Sequence, residues 1–217
     1  MNNFLQEVSY LLGSEEEIKN LALKEKARIL VLSDSHGSYA NLRNAITDAG
    51  SGCDAMIFCG DGINDIARLA EECLDSETLA QCVPPVIGVV VGNNDPDIYP
   101  IRGFMAKVPV VCTMDVAGHK IFFTHGHRFS LYDGTEEMRK TAESMDCTAV
   151  FYGHTHVACE MLESGNIFTL NPGSCARPRC GLPNSYAIVE VDREHDYYNV
   201  VFYKMVLGGS SPFIPKL

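Results

Sequence analysis

The chain contains no stretch of eighteen or more consecutive apolar residues, which excludes a membrane-spanning helix from the reading. Its first twenty residues carry neither a basic start nor a continuous apolar centre, so no secretory signal is expected. Basic residues are scarce: 17 Lys and Arg stand against 28 Asp and Glu, a formal net charge of −11. That balance argues against nucleic acid or an anionic membrane as partner. Anionic substrates stay open, because bound cations invert the sign locally. No C-x-x-C pair occurs among the nine scattered cysteines, which read as small buried hydrophobes of a reducing, cytoplasmic compartment rather than as disulfides. Linkers, repeats and low-complexity tracts are also missing, so residues 27–217 read as one domain behind a helical extension over residues 1–26.

What is present is a core and a rhythm. Hydrophobic residues make up 46% of the 217, enough for one substantial core. In the extension, Phe4, Leu5, Val8, Leu11 and Leu12 recur at helical spacing, and Ser14 before three glutamates reads as the cap of a second helix. Then come an apolar strand over residues 27–32, a capped helix over 38–46, a strand over 54–59, a helix over 64–81 and a strand over 86–91. This β-α-β-α-β order implies parallel strands with right-handed crossovers. The second half changes pattern. It reads as a hairpin over 108–116 and 120–124, a helix over 135–146, and a strand over 148–152. After that come mostly antiparallel strands over 158–162, 167–170, 186–191 and 197–206, with a turn at Gly165-Asn166. A crossover half beside a hairpin half predicts an α/β protein with two mixed sheets packed face to face and helices outside.

Each main strand ends abruptly at polar residues, the place where α/β folds put ligands. The first runs into Asp34-Ser35-His36-Gly37, the second into Gly60-Asp61-Gly62, and the third into Gly92-Asn93-Asn94-Asp95. Two later strands run into His125-Gly126-His127 and Gly153-His154-Thr155-His156, so five of the seven histidines occupy these positions. Taken singly, the first is an ordinary surface triplet, the second a turn, and the third a loop tolerant of left-handed geometry. The ordered series is what carries weight.

Collected, Asp34, His36, Asp61, Asn93, His125, His154 and His156 offer two carboxylates, four imidazoles and an amide. Mixed oxygen and nitrogen donors without thiolate suit Mn, Fe, Zn, Co or Ni better than Ca. Seven side chains are too many for one tetrahedral ion and suit two ions that share a carboxylate. Two such ions, about 3.5–4 Å apart, clamp the attacking and leaving oxygens of a phosphoryl displacement.

With these motifs in hand, residues 28–206 resemble the calcineurin-like metallophosphoesterases, most closely their small bacterial and archaeal phosphodiesterase group. The resemblance implies a four-layer α/β/β/α sandwich and two divalent cations, manganese first among the candidates. It implies one ion on Asp34, His36, Asp61 and His156, and the other on Asp61, Asn93, His125 and His154, with Asp61 bridging. The implied activity is cleavage of a small phosphate ester, a diester foremost, by in-line attack of a hydroxide held between the ions. Where the family often has a histidine after the asparagine, this chain has Asn94. An amide cannot protonate a leaving alkoxide as an imidazolium does, so good leaving groups are expected to be favoured, or water or His127 to supply the proton. Asn94 and His127 are therefore the candidate catalytic residues beside the ligands. Asn171-Pro172-Gly173-Ser174 resembles a recurrent segment of the group and reads first as a supporting turn. Arg177 and Arg179 read either as phosphate partners or as a solvated loop.

Two other functions use the same motifs. A metal-binding interaction scaffold of the same fold would tend to lose ligand histidines, whereas every ligand position is filled here. A nuclease would want a basic surface. Cleavage of a mono- against a bis-nitrophenyl ester separates a phosphomonoesterase from a phosphodiesterase. Residues 2–26 and the carboxyl-terminal aromatics are the candidate surfaces for a homo-oligomer.

Overall fold

The computed structural model describes residues 2–131, 134–162, 167–195 and 198–216. Strands β1 (Lys26–Leu32), β2 (Ala55–Phe58) and β3 (Val86–Val89) lie side by side and parallel. Their crossovers run through α2 (Tyr39–Ala49), and through α3 (Ile63–Asp75) and α4 (Glu77–Cys82). The end of the chain adds β11 (Ser185–Asp192), antiparallel to β1, and then β12 (Tyr198–Val206) and β13 (Gly209–Phe213), each antiparallel to the strand before it. The six-stranded sheet is ordered β13-β12-β11-β1-β2-β3. A second, five-stranded sheet is ordered β6-β7-β8-β10-β9. It is built from β6 (Val111–Val116), β7 (His119–Thr124), β8 (Ala149–Phe151), β9 (Cys159–Leu162) and β10 (Phe168–Asn171). Within it β7, β8 and β10 are parallel and the outer strands antiparallel, so both sheets are mixed, as expected of the α/β class.

The period-two alternation of buried strands explains how the layers meet. Ile29 and Val31 of β1 join Ile57 of β2 in one apolar cluster with Met114, Ile121, Phe123 and Phe151 of the second sheet. A Cβ at Gly88 of β3 would press into the Phe123 ring, so the two sheets meet closely at that point. Leu30 and Leu32 point the other way, into Leu42 and Ile46 of α2 and Ile66 and Leu69 of α3. On the far face of the second sheet, Phe122 and Val150 pack on Met138 and Ala142 of α5 (Glu136–Ser144). No helix is long and apolar enough to cross a membrane among the described residues.

Several expectations are corrected. The helical spacing of residues 4–12 is not used: only α1 (Glu15–Leu23) forms, capped by Ser14, whose hydroxyl accepts from the Glu17 amide. Side chains there capture backbone instead. The Asn2 amide donates to the carbonyls of Leu12 (3.0 Å) and Pro85 (2.8 Å), and Gln6 pairs with both backbone groups of Lys107. Phe4 sits at φ 57, outside the helical region. Leu12 and Ile87 exchange two backbone hydrogen bonds of 2.8 Å, which covers the edge of β3. The single helix read over 64–81 breaks at Ser76, whose hydroxyl accepts from Leu79 and starts α4. Two further elements went unread: the hairpin of β4 (Ile98–Ile101) and β5 (Phe104–Lys107), and strand β13. Both β4 and β13 contain a proline, a residue confined to edges and bulges in sheets. The turn read at residues 165–166 lies outside the described residues.

Candidate metal centre

The carboxyl ends of β1, β2 and β3 in one sheet, and of β7 and β8 in the other, open onto the same place. Asp34 and His36 follow β1, Asp61 follows β2, Asn93 follows β3, His125 and His127 follow β7, and His154 and His156 follow β8. The loops are stitched to one another by backbone bonds: Asp34 N to Gly60 O (3.0 Å), His36 N to Asp61 O (2.9 Å) and Gly153 N to His125 O (3.2 Å). Two glycines let the carboxylates in. A Cβ at Gly92 would overlap Asp61, and one at Gly153 would overlap the Ser33 hydroxyl and crowd the Asp34 carboxylate.

The predicted ligands converge. Asp34 Oδ1 lies 3.1 Å from His156 Nε2, 3.7 Å from His36 Nε2 and 3.9 Å from His125 Nε2. Asp61 Oδ2 lies 3.7 Å from His36 Nε2 and 3.6 Å from His125 Nε2, between the two halves. His36 and His156 bring their Nε2 atoms to 3.1 Å, and His125 Nε2 is 3.2 Å from Asn93 Oδ1 and 3.3 Å from His154 Nδ1. Among the described residues, Asp34, His36 and His156 form one set with metal-ligand spacing, and Asp34, Asp61 and His125 another. All seven expected ligands are therefore in one cluster; Asn93 is exposed and His36 and His154 half-buried, so the cluster opens to solvent on that side.

These donors fit divalent cations on three counts. First, Asp34 is fully buried, yet its Oδ1 has no hydrogen bond; the 3.1 Å approach of His156 has the distance of one without the angle. A buried anionic oxygen without a partner is expensive unless a positive charge sits beside it. Second, His125 Nδ1 donates to Cys59 O (2.7 Å) and His156 Nδ1 to Arg177 O (2.6 Å). Those bonds assign the proton to Nδ1 and leave the Nε2 lone pairs facing inward, as metal-ligating histidines do. Third, ligand bonds of about 2.1 Å put neighbouring donors about 3.0–3.4 Å apart, close to the spacings observed.

Electrostatics follow from the packing. Burial pushes His36 below the ordinary histidine range, outweighing the carboxylates of Asp34 and Asp61. Burial and then the charge of His125 do the same to His154. His156 goes up, held by the Asp34 carboxylate against its burial. For Asp61, burial alone would raise the carboxyl, but hydrogen bonds from Asn94 and the nearby His125 and His36 bring it below the usual range.

Asn94 and Asp95 both serve Asp61. The Asn94 amide donates from its backbone to Asp61 Oδ1 (2.9 Å) and from its side chain to Asp61 Oδ2 (2.6 Å). The Asp95 carboxylate accepts four backbone N–H groups, those of Asp61 (2.6 Å), Gly62 (2.9 Å), Ile63 (3.0 Å) and Gly92 (3.0 Å). It thereby supplies the cap that Gly62, with no side chain, cannot give α3. His127 stands beside His125 and His154, at ring separations of 5.4 and 6.4 Å. Its Nε2 accepts from Arg128 (3.2 Å), and burial, then the charges of His125 and Arg128, keep it below the ordinary histidine range.

The Asn171–Ser174 segment acts as a supporting turn. Asn171 donates to Gly153 O and Thr155 Oγ1, and Ser174 Oγ donates to Asp34 O while accepting from the amides of Ala176 and Arg177. Sequence reasoning missed Ser33, whose hydroxyl donates to Asp34 Oδ2 (2.6 Å), and Asp65, which accepts from the Ser35 hydroxyl and the Gly37 amide (3.0 Å). An aspartate in the first turn of α3 looks like a dipole partner; its role depends on a loop thirty residues earlier.

The chain is similar to known phosphoesterases. A family model described as the calcineurin-like phosphoesterase superfamily domain matches residues 28–194. The probable metallophosphoesterase YsnB of Bacillus subtilis is 29% identical over 175 residues, 81% of this chain and 89% of its own length. Phosphodiesterase YfcE of Escherichia coli is 29% identical over 174 residues, 76% of this chain and 88% of its own. Among solved structures, a protein of Streptococcus pneumoniae described as a predicted phosphoesterase superposes with a TM-score of 0.62 at 30% identity, covering 88% of this chain and 98% of that one.

Proposed function

We propose that this chain, which belongs to the calcineurin-like phosphoesterase superfamily, is a metal-dependent phosphodiesterase that cleaves a small phosphate ester. The observation that carries the proposal is the buried Asp34 Oδ1, without a hydrogen bond and ringed by three imidazole nitrogens. Two divalent cations fit the donor set, with Asp34, His36, Asp61 and His156 for one and Asp61, Asn93, His125 and His154 for the other. Manganese is the first candidate, and iron, zinc, cobalt and nickel suit the same donors. When bound, they supply acidified water near neutral pH and positive charge for the phosphoryl oxygens.

The chain's own residues do the rest. Asn94 and Asp95 hold Asp61 between the two halves of the site, and the Cys59 and Arg177 carbonyls aim the Nε2 atoms of His125 and His156. Asn94 donates one side-chain N–H to Asp61, and an amide N–H is too weakly acidic to protonate a leaving group. Burial and the charges of His125 and Arg128 hold His127 below the ordinary histidine range, which disfavours it as an acid; in this reading water is the donor and good leaving groups are favoured. The free cysteines, most of them buried, suit a reducing cytoplasm.

The test is hydrolysis of bis-nitrophenyl phosphate and mono-nitrophenyl phosphate by metal-stripped protein given Mn²⁺, beside Asp61→Asn. Metal-dependent cleavage of the diester, lost in the variant, is the expected result. Preferential cleavage of the monoester overturns the diesterase assignment. Failure to cleave either substrate with metal bound overturns the enzymatic reading altogether.

A further inference from the structure

The loop that carries Arg177 and Arg179 is bound to the metal-ligand cluster more tightly than a surface loop needs. The Arg177 amide donates to Ser174 Oγ (2.7 Å), and the same hydroxyl donates to Asp34 O (2.8 Å). The Arg177 carbonyl accepts from His156 Nδ1 (2.6 Å), and the Arg179 amide donates to His156 O (3.0 Å). Pro178 between them fixes its own φ and limits how the two arginines are spread. One imidazole ring therefore separates the Arg177 backbone from the inward-facing Nε2 of His156, well within the reach of an arginine side chain.

Both side chains are exposed, and neither forms an ion pair with a carboxylate among the described residues. Arg43 with Glu72 (2.8 Å), Arg28 with Glu190 (3.5 Å) and Arg193 with Glu25 (3.6 Å) do find acidic partners, whereas Arg68 and Arg102 instead lie over the rings of Tyr39 and Phe4. Two guanidinium groups left without carboxylates, two positions apart in the chain, therefore stand at the edge of the metal-ligand cluster.

We propose that Arg177, with Arg179 beside it, forms an anion subsite at the His36 and His156 end of the cluster, where it takes a non-bridging oxygen of the substrate's phosphate. The inference rests on the phosphoesterase reading and adds the residues that select the anion. A planar guanidinium suits the task, because it meets phosphate oxygens through two parallel N–H groups.

The geometry also separates this role from a structural one. Arg177 aims His156 through its carbonyl, which Arg177→Ala keeps, and binds the anion through its side chain, which Arg177→Ala removes. The experiment uses the full chain loaded with Mn²⁺ and compares wild type, Arg177→Ala, Arg177→Lys and Arg179→Ala. It measures Mn²⁺ affinity, binding of inorganic phosphate by calorimetry, and KM and kcat for bis-nitrophenyl phosphate. The expected result is Mn²⁺ affinity within about twofold of wild type and phosphate binding weakened about ten- to a hundredfold in Arg177→Ala. KM should rise by a similar factor, with partial recovery in Arg177→Lys. Phosphate binding unchanged in both alanine variants overturns the subsite, and so does a loss of Mn²⁺ affinity that matches the loss of phosphate. If wild type binds phosphate but cleaves neither nitrophenyl ester, the phosphoesterase reading fails, while the phosphate titration still decides the subsite.

Discussion

Replacing Asp95 by alanine tests whether the fold of the site is held by one carboxylate. Its two oxygens accept from the amides of Asp61 and Gly92, and from those of Gly62 and Ile63 at the start of α3. Losing an N-cap costs about 1 kcal/mol, and hydrogen bonds to a charged acceptor are each worth roughly 1.5–3 kcal/mol. Asp95 is half-buried, so water replaces part of what is lost, and the four donors do not add fully. A destabilisation of about 3 kcal/mol is expected, which for a domain of this size lowers Tm by about 6–12 °C. Metal-free protein is the right material, because the effect is then read without contribution from bound cations. Urea denaturation should show the midpoint falling with the slope unchanged, and Asp95→Asn should fall between the two. A loss below about 1 kcal/mol for Asp95→Ala refutes the reasoning, since the four amides would then be satisfied by solvent. The same variant should weaken Mn²⁺ binding, because the backbone of Asp61 is no longer pinned.

Three other outcomes are expected. Asn94→His should raise the rate on esters with poor leaving groups more than on nitrophenyl esters, and an equal effect on both removes leaving-group protonation from the account. Mn²⁺ affinity should fall as pH drops from 8 to 6: the Asp34 carboxylate holds a proton on His156 above the ordinary histidine range, and that proton must leave before the ring can ligate. A titration flat across that range contradicts this. Asp192 is held down to about 2 by Lys26 first, then by the Glu194 amide and His195. A depressed carboxylate stabilises the fold above its unfolded pKa of about 4 and loses that contribution as pH falls through about 2. Lys26→Met should therefore be less stable than wild type at pH 6, with the difference shrinking as pH falls through about 2 and closing below it, and narrowing in high salt because Lys26 is exposed; a gap that persists well below pH 2 rejects the pairing.

The strands and the ligands were legible in the sequence for one reason. A buried strand must be apolar throughout, so the first polar residue after it marks the strand end, and five such ends coincide with Asp, Asn and His. What was not legible depends on partners distant in the chain. The apolar spacing of Phe4, Leu11 and Leu12 satisfies a helix, and nothing local reveals that Asn2 and Gln6 will bond the backbone near residues 85 and 107. Ser76 splits a helix because its hydroxyl can cap, a property it shares with serines that do not. The hairpin of β4 and β5 turns at Arg102 and Gly103, both at positive φ, where arginine is a poor signal. The four donors of Asp95, gathered from two loops, emerge only in three dimensions.

The backbone itself explains why these residues and not their neighbours form the site. Asp34, His36, Asp61, His154 and His156 all have φ between 46° and 65°, the left-handed region that non-glycine residues seldom occupy. Each such residue costs of order 1 kcal/mol, with Asp and His among the side chains that tolerate it better. Five expected ligands share this conformation, so turning inward at a strand end and adopting positive φ are one event: the chain must reverse sharply to aim the side chain back over the sheet. The strain is held by protein groups: the Gly60 and Asp61 carbonyls that receive the amides of residues 34 and 36, the Asp95 clamp, and Ser174 on Asp34 O. The donor set is thus held in position by contacts within the protein. Local sequence preference and global structure disagree most at these positions, and that disagreement coincides with the buried, unpartnered oxygen of Asp34.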